Sequence, residues 1–245
     1  MSDAPEVSIS VVSHGQAELA GFLLTDLSLH TRTSIEVLLT LNVPEALPFD
    51  PARFAFPVRV LRNERPRGFG ANHNAAFQER KSKHFCVMNP DIRLEADPFP
   101  ALIARLADPR AGIAAPLIRN PAGAIEDSAR HFPTPWTILK KALRNSPEIE
   151  YSAKGKEPVR VDWVAGMFML VPSALYEEVG GFDERYFLYY EDVDLCARLA
   201  LRGRRVVLCP EVTVIHDARR QSRRSLRYLR WHLSSMLRFF LSRPG

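Results

Sequence analysis

Short β-branched runs alternate with helix-period segments along the first ninety or so residues, and this limits the fold more than any other feature of the chain. Val7–Ser13 (VSISVVS), Ile35–Leu41 (IEVLLTL), Val58–Leu61 and His84–Met88 (HFCVM) are short and nearly unbroken in apolar character. Such runs suit strands covered on both faces. Between them, Ala17–Leu29 places Leu19, Phe22, Leu23 and Leu27 near helical spacing, and Ala71–Glu79 reads as a second helix. This order predicts a mainly parallel sheet flanked by helices, an α/β fold.

The second half is less regular. Helices are expected at Pro98–Ala107, Ser173–Val179 (with a serine near its N-cap) and Asp192–Leu201. Strands are expected at Gly112–Ile118, at Val161–Val171 in one or two pieces around Gly166, and as a pair, Arg205–Cys209 and Val212–His216. Asn120–Ile125 reads as a turn, and the proline-rich stretch 132–157 as partly mobile.

Charge divides the chain. The net charge is +5, yet residues 218–245 hold eight arginines and no acid, so removing those eight charges leaves the first 217 residues at −3. The body therefore does not read as a nucleic-acid binder. In the tail, Leu226, Leu229, Leu233, Met236, Leu237 and Phe240 fall at three- and four-residue steps, one apolar helical face. That pattern fits a helix docked on the body with a solvated basic side. It also fits a helix lying on an anionic membrane, where Tyr228 and Trp231 would suit the interface. No run approaches the roughly 20 apolar residues of a membrane span. The first residues, MSDAPEVS, lack the marks of a signal peptide, and Cys86, Cys196 and Cys209 show no pairing pattern, so a cytoplasmic protein is expected.

Four stretches can carry chemistry. Asn89-Pro90-Asp91 follows HFCVM, and in open parallel sheets ligands bind beyond the carboxyl ends of strands. Asp91 there suits a divalent cation; it also suits a turn cap. Pro66–Phe77 (PRGFGANHNAAF) opens a helix with Gly68 and Gly70, which permit close approach of a ligand to the backbone. His216 ends VTVIH and matters if Asp91 is near, since imidazole and carboxylate can share a metal. Glu191, Asp192 and Asp194 follow the apolar run YFLYY. Acids at a helix start favour the dipole, but a carboxylate shielded by aromatics is also raised toward the range of a general base. No GxSxG or HExxH motif and no cysteine–histidine pattern supports a covalent nucleophile.

The order of these motifs resembles glycosyltransferase family 2, inverting enzymes of the GT-A (nucleotide-diphospho-sugar transferase) fold, and within it the bacterial rhamnosyltransferase-like branch. The likeness runs from Val7 to about Ser222. It is most specific in WVAGMFMLVPSALYEEVGGFDERYFLYYEDVDLCARL followed by LRGRRVVLCPEVTVIH. Tyr186 stands where the branch usually has phenylalanine.

The resemblance implies one GT-A domain over residues 1–217. Its nucleotide half covers about 1–95 and its acceptor half about 96–217, with a basic amphipathic helix in 218–245. It implies that His14, Asn42, Gly68, Phe69, Asn74, Asn89 and Asp91 surround the nucleotide sugar. Asp91 and His216 would hold Mg²⁺ or Mn²⁺. Asp192 would be the catalytic base with Glu191 beside it, and Trp163 and Gly166 would line the acceptor side. The expected reaction moves a sugar from a nucleotide-diphospho-sugar, dTDP-rhamnose first among candidates, to a saccharide acceptor that may be lipid-linked, in cell-envelope or polysaccharide biosynthesis. The expected place is the cytoplasm or the inner face of its membrane. Leu41 replaces the acid that usually precedes Asn42, and Pro66 replaces a frequent asparagine. These departures favour the competing reading, a catalytically degenerate protein that binds a sugar or nucleotide without turnover. The presence of Asp91, Asp192 and His216 opposes it.

Overall fold

In the computed structural model, which describes residues 4–138, 151, 155, 157–217 and 226–242, the expected alternation forms the centre of the sheet. β1 (Val7–Ser13) runs parallel to β2 (Ile35–Leu41) and to β4 (His84–Met88), and β2 runs parallel to β3 (Val58–Arg62). Helix α1 (Ala17–His30) connects β1 to β2, and α2 (Phe69–Gln78) connects β3 to β4. After the short β5 (Ile92–Arg93) come α3 (Phe99–Leu106), β6 (Ala111–Arg119), β7 (Ala129–Arg130), β8 (Val159–Val161), β9 (Trp163–Val164) and β10 (Phe168–Pro172). Helices α4 (Ser173–Glu178) and α5 (Glu191–Leu201), strand β11 (Arg205–His216) and α6 (Leu226–Ser242) complete the chain.

The main sheet has the order β3-β2-β1-β4-β10-β6-β11-β5, with β8 added against β11. β10 is antiparallel to both neighbours and joins the two halves into one sheet. Side chains alternate across it, as period-2 geometry requires. Val7, Ile9, Val11, Cys86 and Met88 pack with Leu23, Leu24 and Leu27 of α1 and Phe99 and Leu102 of α3. Phe85 and Val87 face the other way, toward Phe77 of α2, Tyr176 of α4 and Leu195 and Leu199 of α5. Ser10 of β1 also faces α2: its hydroxyl lies 2.7 Å from Nδ1 of buried His73. Burial of that imidazole lowers its pKa to about 3, so it stays neutral. All three cysteines are buried and unpaired.

Four local expectations need correction. The two strands expected at Arg205–Cys209 and Val212–His216 are a single strand with a bulge, in which the pairing jumps from Cys209↔Pro116 to Thr213↔Leu117. Pro210 lacks an N–H for the ladder, and a bulge accommodates it without ending the strand. Ser173 does not cap α4; it is the first helical residue, and its hydroxyl has no hydrogen-bond partner. The region around Gly166 holds three short strands, because β9 leaves the main sheet to pair with β7. Finally, of the apolar face that one of the two readings of the tail docks on the body, Met236 and Phe240 pack there but Leu229, Leu233 and Leu237 do not. Ser235 and Phe239 are buried, while Leu229, Leu233 and Leu237 are half exposed or more. Aromatic contacts decide the docking: Trp231 meets Phe187, His232 meets Tyr189 and Tyr190, and Phe239 meets Tyr190. Of the stretch expected to be mobile, 132–157, residues 139–150, 152–154 and 156 lie outside the described residues.

Candidate active site

Sheet register brings Asp91 and His216 together. β5 begins one residue after Asp91 and pairs with the end of β11, His216 opposite Ile92. The Asp217 N–H donates to the Asp91 carbonyl at 2.9 Å. His216 Nε2 then lies 3.3 Å from Asp91 Oδ2, and Nδ1 lies 2.7 Å from Glu126 Oε2. Burial opposes a charged imidazolium here, but the hydrogen bonds and charges of Asp91 and Glu126 outweigh it and raise His216 to about 9.

Among the described residues, no three His, Cys, Asp or Glu side chains converge ready-made on a metal position. The site nonetheless fits a divalent cation. Asp91 Oδ1 is buried and has no hydrogen-bond partner, and an orphaned carboxylate oxygen at a strand end is what a cation would satisfy. Glu126 stands on the far ring nitrogen of His216, the arrangement that orients a metal-binding histidine. No motif announces Glu126. Chain geometry places it, as Arg119 bridges Ile125 and the Glu126 N–H donates to Ile118 O at 2.8 Å.

The second group is built on the start of α5. Asp192 accepts the Gly166 N–H at 3.0 Å and the Val193 N–H at 2.8 Å. Gly166 belongs to the turn between β9 and β10. A Cβ there would stand 2.9 Å from the Phe69 ring, so only glycine lets the turn reach Asp192. Burial raises the Asp192 pKa, while the Gly166 and Val193 N–H groups and the Arg130 charge act to lower it. Glu191 is almost fully buried, and its Oε2 is unpaired. Burial and the Asp192 charge hold Glu191 well above the usual carboxylate range.

Arg130, another residue without a motif, pairs with Asp127 at 2.7 Å and lies opposite Trp163 in the β7–β9 ladder. Its guanidinium stands 5.4 Å from the Trp163 ring centroid. Trp163 donates its indole N–H to His131 O at 2.9 Å. Asp194 is apart from this group: it pairs with Arg198 one turn on, at 2.7 Å.

A strained loop leads into Asp192. Tyr189 and Tyr190 both have left-handed backbones, φ 73 and 69, which non-glycine residues seldom adopt. Contacts on both sides hold them. The Phe69 N–H donates to Phe187 O at 2.9 Å, and Ser235 of α6 donates to Leu188 O at 3.0 Å. A Cβ on Gly68 would stand 2.8 Å from Phe187 O. Gly68→Ala is therefore expected to push this loop away and to lower Tm by roughly 3–10 °C, measurable by calorimetry.

Two residues expected to bind the nucleotide sugar are committed elsewhere. The Asn74 amide donates to Phe182 O and Glu184 Oε1 and accepts from Tyr176 OH and Phe182 N–H. That fills its capacity, and Asn74 latches α2 to the loop after α4. Asn42 accepts from Asn63 Nδ2 and the Arg67 N–H, and it donates to Arg67 O. It shapes the loop before α2, and exposed His14 lies 3.2 Å from its Nδ2. Leu41 is 1% exposed, so that position is core. Asn89 is partly exposed beside Asp91, its backbone N–H bonded to Met167 O.

Residues 49–234, well over half of the chain, match the family model described as glycosyltransferase-like family 2. The chain belongs to that family. It is 34% identical over 184 residues to the rhamnosyltransferase WbbL of Escherichia coli K12, covering 70% of this chain and 69% of that protein. It is 36% identical over 148 residues to the N-acetylglucosaminyl-diphospho-decaprenol L-rhamnosyltransferase of Mycobacterium tuberculosis CDC 1551, covering 53% of this chain but only 45% of that protein. In fold it is similar to a mannosyltransferase of Pyrobaculum calidifontis solved with GDP-Man and Mn²⁺. That match has a TM-score of 0.69 and 17% identity, and spans 100% of this chain and 66% of that one. The fold of this family 2 member is GT-A. Its mostly parallel sheet and flanking helices are those expected from the motifs.

The buried carboxyl of Glu191 makes a prediction about stability. A raised carboxyl means that the folded state keeps a proton the unfolded state has lost. Stability therefore falls as pH rises from the ordinary Glu value of about 4.3 through the folded value. Glu191→Gln removes that loss. Its Tm should equal that of the unsubstituted protein in acid and exceed it by several degrees, about 3 °C or more, in mild alkali. A pH series of thermal melts checks this, and a Tm gain that does not vary with pH contradicts it.

Proposed function

We propose that this chain is a metal-dependent inverting glycosyltransferase that moves rhamnose from dTDP-rhamnose to a saccharide acceptor on a lipid diphosphate, in cell-envelope or polysaccharide assembly. The Asp192 carboxylate carries the reading. It is partly shielded and held by the Gly166 and Val193 N–H groups, and among the described residues no side chain donates to it, so it is free to take a proton. The names of the two rhamnosyltransferase relatives support the sugar, and the mycobacterial one supports the acceptor class.

In this reading Asp192 takes the proton of the acceptor hydroxyl. That oxygen bonds to the anomeric carbon as the bond to the diphosphate oxygen breaks on the opposite face, and dTDP leaves. Arg130 helps keep Asp192 ionised against burial. Trp163 and Gly166 line the acceptor side. Asp91 and His216 would hold the divalent cation, with Glu126 fixing the imidazole. The chemistry such a cation supplies is neutralisation of charge on the departing diphosphate. Orientation of the two substrates supplies much of the rest.

Residues 1–217 form one catalytic domain, supported by the unbroken sheet across both halves. Among the described residues no helix is long and apolar enough to cross a membrane. We place the protein in the cytoplasm, at the inner membrane face where a lipid-linked acceptor would be met. Thermal-shift screening of nucleotide sugars with Mn²⁺ tests the donor. dTDP-rhamnose should raise Tm most, and a larger rise with a UDP- or GDP-sugar would replace that assignment.

A further inference from the structure

Helix α6 has three distinct faces. One is docked: Ser235 and Phe239 are buried, and Trp231 and His232 meet the aromatics of residues 187–190. The second is a leucine row. Leu229, Leu233, Leu237 and Leu241 are 54%, 49%, 58% and 76% exposed. At about 100° per residue, positions four apart advance only about 40°, so the four form one slowly winding stripe. The third face is polar. Arg230, Ser234 and Arg238, each one step past a leucine, are all exposed. Residues 218–245 add to this eight arginines in all and no acid.

An exposed leucine stripe on a helix already fixed by its opposite face needs an apolar cover. The cover must also accept arginines on the adjacent face. Nucleic acid would satisfy the arginines and leave the leucines wet. A second copy would cover the leucines but bring arginines against arginines. An anionic bilayer surface satisfies both, with acyl chains for the leucines and headgroup phosphates for the arginines.

We propose that α6 lies in the headgroup region of an anionic bilayer through Leu229, Leu233, Leu237 and Leu241, flanked by Arg230 and Arg238. Its docked face meanwhile grips the loop that leads into Glu191 and Asp192. The helix is about 10 Å across, so the catalytic cleft would open close to the lipid surface. This deepens the functional reading by naming where a lipid-linked acceptor is met. Lipid binding is measured without sugar transfer, so the two can fail separately.

The test is co-flotation with phosphatidylcholine vesicles made with and without phosphatidylglycerol. The chain should float only with the anionic vesicles. Leu233→Ser with Leu237→Ser should lower partitioning at least about tenfold. Arg230→Gln or Arg238→Gln should each lower it about fivefold. All variants should keep the Tm of the unsubstituted chain, because these side chains are exposed. Failure of the unsubstituted chain to float, or flotation of the leucine variant equal to it, overturns the proposal. So does a lipid-free dimer in sedimentation velocity that the leucine variant dissolves, which would make a second copy the occupant.

Discussion

Asp192→Asn is expected to lower kcat by at least about a hundredfold, the scale of losing a general base, while donor affinity stays within about twofold. The substitution is nearly isosteric. The Gly166 and Val193 N–H groups bond separate carboxylate oxygens, so the Asn carbonyl keeps one of the two and the turn loses one hydrogen bond along with the proton acceptor. The split between kcat and donor binding is the informative readout. Damage to the Phe69–Phe187 contact would weaken donor binding and turnover together. Isothermal titration of the donor beside steady-state turnover separates the two cases. Unchanged turnover would remove Asp192 from the role of base.

Asp91→Ala is expected to abolish the rise in Tm given by dTDP-rhamnose with Mn²⁺. At ligand about a hundredfold above its dissociation constant that rise corresponds to about 2.7 kcal/mol, several degrees for a chain of this size. The substitution removes the orphaned Oδ1 and the partner of His216 Nε2 together. Without ligand, its Tm should fall, since losing the buried Asp91–His216 pair outweighs relief of the orphaned oxygen. A donor- and Mn²⁺-dependent rise that survives in Asp91→Ala would place the cation elsewhere. Glu126→Gln should give an intermediate loss, about tenfold or more in metal affinity, because it orients the imidazole without being placed as a ligand.

The parallel half of the fold was legible because buried strands and crossover helices write their periods directly into the chain. Val7–Ser13, Ile35–Leu41 and His84–Met88 have the boundaries that their apolar runs suggest. The bulge at Pro210 was less legible, since proline marks equally a break between strands and an irregularity within one. The docking face of α6 was less legible, since leucine spacing fits a docked face and a membrane face equally. The body offers an aromatic loop, and aromatic partners on the helix outcompete leucines for it.

In the site, the fold brings Asp91 to His216 and Gly166 to Asp192, residues whose motifs lie far apart in the chain. Glu126 and Arg130 were invisible because they arrive on a bridge and a two-residue strand with no local pattern. Asn42 and Asn74 illustrate the reverse. An asparagine in a ligand-binding stretch looks the same in sequence whether its amide faces a sugar or, as here, is spent bracing the loops around it.

The most direct test is the stereochemistry and metal dependence of a single reaction. The purified chain is incubated with dTDP-rhamnose, Mn²⁺ and an N-acetylglucosaminyl-diphospho-prenol acceptor, and the product is read by proton NMR at the new anomeric centre. The prediction is a rhamnosylated acceptor of inverted anomeric configuration, with formation abolished by a chelator and restored by added Mn²⁺. A product of retained configuration, or undiminished turnover in the chelator, would contradict the single-base, cation-assisted displacement assigned to Asp192, Asp91 and His216.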